Sequence, residues 1–274
     1  MEMYMVFLIA GVVLTLIAVG LLFGSKASAE KAFAIRATET SRILDLLDLS
    51  SSIAKDLGPG SFRQIAEVKG ITESANPLRS ELAQQPCVYY SMKVTREFEE
   101  TYWETDSQGN RSQRTRRGSQ IVSSNQQQIP FEVNDGSGKV TVDASSAKLD
   151  TMKAHSSFVA GENNANHIGN FILNLTTAFA GGTRTIGYKY EEDIIPLGRQ
   201  VYVLGEASDK DGTLKIVKPE NKKDAPFLVS LKSEDELLKS AQGSSSGMKI
   251  GAIVALVLGL GSATLGILKL INLF

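Results

Sequence analysis

The sequence predicts an α+β protein: two transmembrane helices flanking a β-rich antiparallel domain, a curled sheet or small partly open barrel with a few short helices. Three observations carry that reading. An uncharged apolar run stands near each end, Tyr4–Phe23 and Ile250–Leu268. Between them, polar and apolar residues alternate: Val88, Tyr90, Met92 and Val94 fall on one side, Tyr89, Ser91 and Lys93 on the other. That is the period of a half-buried strand. Glycine-rich breaks such as GPG at 58–60 and NDGSG at 134–138 separate the runs, as turns do.

Residues 1–24 read as the first transmembrane helix. Tyr4–Phe23 has Thr15 as its polar residue and is about 20 residues long, enough at ~1.5 Å per residue to cross a ~30 Å hydrocarbon core. A cleaved signal peptide competes, because Ala27-Ser28-Ala29 has a cleavage-like pattern. The acidic Glu2, with no basic residue ahead of the run, and a run longer than about 7–15 residues favour an uncleaved anchor. Residues 25–59 read as a helical linker. An Ala-rich charged extension covers 25–37. A second helix follows, with Thr40 placed to cap it and Ile43, Leu44, Leu47, Ile53 and Leu57 on one face, until GPG ends it.

The β-rich domain takes residues 60–240. Strands are expected over 61–74, from Val88 towards Trp103, in a hairpin over 129–143, and in TIGYKYEEDII, RQVYVLGEAS, TLKIVK and FLVSLK. Residues 106–128 read as a polar hairpin loop. Ile168, Phe171, Ile172, Leu175 and Phe179 mark a helix ending at Gly181-Gly182. Ser233 and Glu236 form a capping box at the head of a short helix. Residues 241–247 are a linker and 248–271 the second transmembrane helix, with Lys249 and Lys269 at the edges of its apolar run, able to snorkel. Lys26, Lys31 and Arg36 behind the first span, and Lys232, Lys239 and Lys249 ahead of the second, place the middle domain in the cytoplasm by the positive-inside rule.

Composition excludes several functions. The net charge of -1 gives no bulk attraction to nucleic acid, and no aromatics interleave the arginines of 106–128, so nucleic acid is not an expected partner. One cysteine excludes an intrachain disulfide and a Cys-rich zinc site. Two histidines without metal-ligand spacing leave no metal expectation, and GTRTIG at 182–187 lacks the ending of a phosphate loop, so no cofactor is expected. Cys87 would need a base and an electropositive niche to be a nucleophile. At the start of a strand it reads as a packed residue. Glu191, Glu192 and Asp193 read as a strand end and turn rather than an acid/base pair. No catalytic residue is assigned.

Two binding candidates remain. Arg111, Arg114, Arg116 and Arg117 form either a plain solvated loop or an anion and lipid-headgroup site. Gly251, Ala255, Gly259 and Ala263 recur every four residues in the second span, one helical face of small residues against which another helix packs closely. Its partner is the first span or a second copy of the chain, which would give a homo-oligomer.

The blocks VKGITESANPLRSELAQQPCVYYSMKV, IPFEVNDGSGKVTVD, GYKYEEDIIPLGRQVYVLGEA and PFLVSLKSEDELLKS, followed by a membrane span, resemble the GIDE domain, also called BAM for "beside a membrane", over roughly 60–240. The resemblance implies a domain between two spans, as in envelope ubiquitin ligases of mitochondria and chloroplasts, where a RING finger follows the second span. A RING needs two zinc-binding sets of Cys and His. One Cys and two His cannot supply them, so the ligase chemistry is not carried over, and the sequence looks like a RING-less, prokaryotic-type member. The resemblance also puts the domain away from the cytosol, against the lysine count, which leaves its side open. The function expected is a non-catalytic binding or sensing domain anchored in the lipid bilayer, with an unidentified protein partner, as in stress or envelope quality control. The alternative is the membrane part of a ubiquitin-ligase-like system whose effector is another chain.

Overall fold

The computed structural model describes residues 3–161, 167–168, 171–172, 183–220 and 226–271. The chain divides into two units. One contains the long helices α1 (Met3–Ala37) and α3 (Glu234–Ile271), the other comprises Thr40–Lys223 and Phe227–Leu231.

In the second unit, β1 (Arg63–Glu73) serves two ladders. It pairs with β12 (Gln200–Ser208) from Arg63↔Ser208 to Ile71↔Gln200, then with β5 (Phe131–Asn134) from Ile71↔Asn134 to Glu73↔Glu132. The change of partner falls beside Gly70, where a Cβ would lie 2.5 Å from the carbonyl oxygen of Asn134. Only glycine lets the two backbones approach there. β5 turns into β6 (Lys139–Val142), β6 runs parallel to β13 (Lys215–Val217), and β13 is antiparallel to β12. The five strands form a ring, joined in the order first, second, third, fifth, fourth. This is the order of five-stranded Greek-key barrels of the OB type. The β6–β13 ladder is two residues long, so the barrel is partly open there. β14 (Leu228–Ser230) extends it from β12, and β7 (Lys148–Asp150) runs parallel to β14.

Alternation supplies the barrel core. Ala66 and Val68, Phe131 and Val133, Val140 and Val142, Ile216, and Val201 and Val203 are buried together. α2 (Ile43–Leu57) adds Ile43 and Leu46, with Leu47 and Ile53 against them. Leu44 and Leu57, expected on this face, are exposed, and Leu46 takes their place. Thr40 does not cap α2. The Ile43 N–H donates to Asp135 Oδ2 at 2.9 Å and the Leu44 N–H to Ser137 Oγ at 3.2 Å, so the β5–β6 turn caps the helix. Thr40 instead donates to Glu67 Oε1 at 2.6 Å. α2 ends at Gly58, φ 91°, as GPG predicts.

The second sheet is β4–β3–β11–β8, with β2 (Leu78–Arg79) beside the start of β3. β3 (Pro86–Thr105) and β4 (Arg111–Gln128) pair from Tyr89↔Gln128 to Thr105↔Arg111. Residues 106–128 are therefore not a loop: only 106–110 turn, with Asp106 Oδ1 accepting the Gln108 and Asn110 N–H groups. β4 has no apolar alternation because most of it is exposed. Cross-strand polar pairs stabilise it instead. β11 (Thr183–Pro196) pairs with β3 as far as Glu100 and with β8 (Met152–Ala160) on its other side. Past Glu100 the β3–β4 ribbon continues without β11. At the expected helix over 168–179, β9 (His167–Ile168) pairs with β10 (Phe171–Ile172). The remainder of that segment lies outside the described residues.

α3 is continuous through 241–247, expected as a linker. Its head carries the capping box: the Ser233 N–H donates to Glu236 Oε2 at 2.9 Å and the Glu236 N–H to Ser233 Oγ at 3.3 Å.

Burial pushes the Asp135 carboxyl up, but N–H groups of Ile43, Ser137 and Gly138 and the Ser137 hydroxyl outweigh it and hold it below the usual range. A depressed carboxyl contributes stability above its unfolded pKa and loses it as pH falls through the folded value. Asp135→Ala should cost about 0.5–2 kcal/mol near neutral pH, the value of a helix cap. In urea unfolding, the gap to the wild-type chain should narrow below about pH 4.

Candidate functional site

Both long helices are long and apolar enough to cross a membrane. They pack antiparallel: Phe7 meets Ser262, Gly11 meets Gly259, and Ser25 meets Ser245. In α1 the buried residues include Gly11, Ala18, Ser25 and Ala32, seven apart, and in α3 Ser245, Ala252, Gly259 and Gly266, again seven apart. A repeat of seven keeps one seam facing a partner along a left-handed supercoil. Small residues in the seam bring the backbones together. A Cβ on Gly11 would lie 3.0 Å from Gly259 O and from Ala263 Cβ, and one on Gly266 3.0 Å from Leu8 Cγ.

The four small residues read from the sequence lie along this seam. Ala255 and Gly259 are buried, Ala263 meets Gly11, and a Cβ on Gly251 would touch Leu21 at 3.4 Å. They face α1. The period-four reading missed the longer repeat shared by the two helices, which was legible at Gly11, Ala18, Ser25 and Ala32. Hydroxyls add direction: Ser262 Oγ donates to Phe7 O at 2.9 Å and Ser245 Oγ to Ser25 O at 3.2 Å.

The four arginines lie on β4, and three answer acids on β3. Arg114 pairs with Glu104 at 2.9 Å, Arg116 with Glu100 at 2.7 Å and Arg117 with Glu99 at 3.3 Å. Arg184, then Arg117, hold the Glu99 carboxyl below its usual range. Arg111 is at the tip, paired in register with Thr105. The positive charge is largely matched within the ribbon. Trp103 is exposed near the same tip.

Cys87 is buried beside Tyr90 and Ile194. Burial, and then the Glu192 charge, push its thiol up to about 11, the reverse of an activated cysteine. Glu192 is itself fully buried and accepts the N–H groups of Leu82 at 3.0 Å and Ala83 at 2.8 Å, so it ties down the turn before β3. Lys189, then Lys153, bring Glu191 to about 2. A second buried carboxylate, Glu67, takes bonds from Thr40, Tyr202 (2.6 Å) and Lys69 (3.0 Å). These acids are occupied with structure, and among the described residues no three His, Cys, Asp or Glu side chains converge to hold a metal.

The fold defines a helical hairpin of membrane-spanning length and a β-barrel with an inserted five-stranded sheet. The family profile described as GIDE, E3 ubiquitin ligase, matches residues 99–265. The chain belongs to the GIDE family. It is 27% identical over 144 residues to E3 ubiquitin-protein ligase SPL1 of Arabidopsis thaliana, across 52% of this chain and 40% of the relative. The chain thus spans well under half of that relative's length. No solved structure matches it.

With Cys87→Ser as background, Ser25→Cys with Ser245→Cys should form a disulfide on mild oxidation, since the native hydroxyls are 3.5 Å apart and the small seam brings the backbones close. Adding Gly259→Leu, which intrudes on Gly11 O and Leu14, should slow cross-linking by at least about tenfold, read on a non-reducing gel.

Proposed function

We propose that the chain is a membrane-anchored, non-catalytic binding module of GIDE type, held in the bilayer by the α1–α3 hairpin, with the β-rich unit as its recognition part. The hairpin carries this reading. Its small residues face inward while Ile9, Val12, Leu16, Ile253, Val257 and Leu260 are exposed. Apolar surface of that extent on helices with satisfied backbones suits hydrocarbon. The non-catalytic part is supported by the inactive state of the Cys87 thiol and the structural occupation of Glu67, Glu191 and Glu192. A second reading, in which the chain is the membrane part of a ubiquitin-ligase-like system with its effector on another chain, is favoured by the family description and by the name of the Arabidopsis relative.

The test uses the full chain in liposomes with Cys87→Ser. A cysteine at Ser107, in the exposed turn, and one added ahead of Met1 should react with an impermeant maleimide from opposite sides of the bilayer. Reaction from the same side excludes the two-span arrangement. In a discharge assay with ubiquitin-loaded E2, the chain alone should leave the rate at that of E2. Acceleration overturns the non-catalytic reading.

A further inference from the structure

One face of the β4–β3–β11–β8 sheet is open and carries more cations than acids. Alternation along β3 puts Lys93, Thr95, Glu97, Glu99, Thr101 and Trp103 on it. The ladders bring Ile121 of β4, Lys189 of β11 and Phe158 of β8 into one row with Thr95. Trp103, Ile121 and Phe158 are 65%, 59% and 48% exposed. Two acids of this face are each shared by several cations. Lys189, Lys153 and Lys93 converge on Glu191 at 2.9, 3.2 and 3.5 Å, and Arg184 and Arg117 on Glu99 at 2.9 and 3.3 Å. Lys153 also reaches Asp193 at 3.7 Å. With Arg111, opposite Thr105, and with Glu97, the described residues of this face comprise six cations and four carboxylates, an excess of two positive charges. On the other face of the ribbon, Arg114 and Arg116 answer Glu104 and Glu100 one to one.

The apolar side chains of this face are dispersed. Trp103 is eight residues along β3 from the row of Ile121 and Phe158, about 26 Å in an extended strand. Ile121 and Phe158 are three strand spacings apart, about 14 Å. A protein partner needs a packed apolar centre ringed by polar groups. A phospholipid surface does not. Each apolar side chain enters the interface separately, and indole is among the side chains that favour that zone. Cations stay among the phosphates, and an excess of positive charge complements anionic lipid.

We propose that this sheet face docks on an anionic phospholipid surface, with Trp103 in the lipid–water interface. The proposal rests on the membrane-anchored reading, which keeps the β-rich unit close to lipid at high effective concentration. The arginine loop expected from the sequence gives way to a face of four strands, in which lysines of β3, β8 and β11 take part and Arg114 and Arg116 do not.

Trp103 is the sole tryptophan of the protein, so its fluorescence reports on this face without a label. The full chain is reconstituted in vesicles of phosphatidylcholine brominated on its acyl chains, with and without about one-third phosphatidylglycerol. With phosphatidylglycerol, Trp103 emission should shift to the blue and lose at least about half its intensity relative to unbrominated vesicles of the same headgroups. Without it, the loss should be at least about twofold smaller. Arg117→Gln with Arg184→Gln changes two largely exposed side chains and brings the face to neutrality. That variant should reduce the loss to the level seen without phosphatidylglycerol. Soluble poly-glutamate, added to the chain in detergent, should leave the emission unchanged. No effect of bromination, equal quenching with and without phosphatidylglycerol, or undiminished quenching in the double variant overturns the proposal. A blue shift with poly-glutamate equal to that in the vesicles assigns the face to an acidic protein and overturns it as well. The cysteine labelling described above, run on the same vesicles, keeps the two readings apart. Cysteines on opposite sides with Trp103 unquenched remove the docking alone, and cysteines on the same side with Trp103 quenched remove the two-span arrangement alone.

Discussion

The β-rich unit depends on one close backbone approach, Gly70 against Asn134. β1 pairs with β12 along most of its length and with β5 at its end. Without that change of partner the five strands would be an open sheet with two free edges. Any side chain at Gly70 would meet the Asn134 carbonyl and separate β1 from β5. Closure then fixes the rest: β5 carries the turn whose Asp135 and Ser137 start α2, and α2 lays Ile43 and Leu46 against the core that closure creates.

With the ring closed, long insertions are tolerated. The chain leaves between β1 and β5 to make β2, β3 and β4, and again between β6 and β12 to make β7 to β11. The entropy of closing such excursions grows slowly with length, and pairing of β3 with β11 joins the two into one sheet. The outer part of the β3–β4 ribbon has little apolar burial. Its order rests on opposed charges at Glu99/Arg117, Glu100/Arg116 and Glu104/Arg114. Exposed pairs of this kind contribute little singly, so their value is in register, where a slip of one residue would set every pair out of reach.

Elements with apolar periodicity were legible in the sequence: both long helices, the 129–143 hairpin, and the strands ending in β14. Those with polar sequences were not. β4 reads as a loop because its pairing energy comes from β3 rather than from a buried face. Residues 241–247 read as a linker because Gly and Ser signal flexibility in isolation, whereas in α3 their small size suits the seam and Ser245 is buried. The cap of α2 was missed because the turn that supplies its acceptors is about ninety residues away in sequence, beyond any local capping rule. For the same reason Glu206 carries no local signal: in RQVYVLGEAS it is one more outward residue of an alternating strand.

Glu67 and Glu206 show how a structural carboxylate differs from an open one. Glu67 on β1 lies opposite Leu204 of β12, two residues from Glu206, and both residues are buried. Glu67 has exchanged its hydration for a hydroxyl from Thr40, a phenol from Tyr202 and the ammonium of Lys69. With those donors in place its charge costs little and it has no capacity for a ligand. Glu206 is covered by its neighbours along most of its side chain but lines an open cleft, so water itself solvates its carboxylate. A few residues apart on neighbouring strands, the same side chain ties the barrel wall together in one case and faces a solvent-filled cleft in the other. What separates them is where the carboxylate oxygens end, among protein donors or in water, which the burial of the whole residue alone does not reveal.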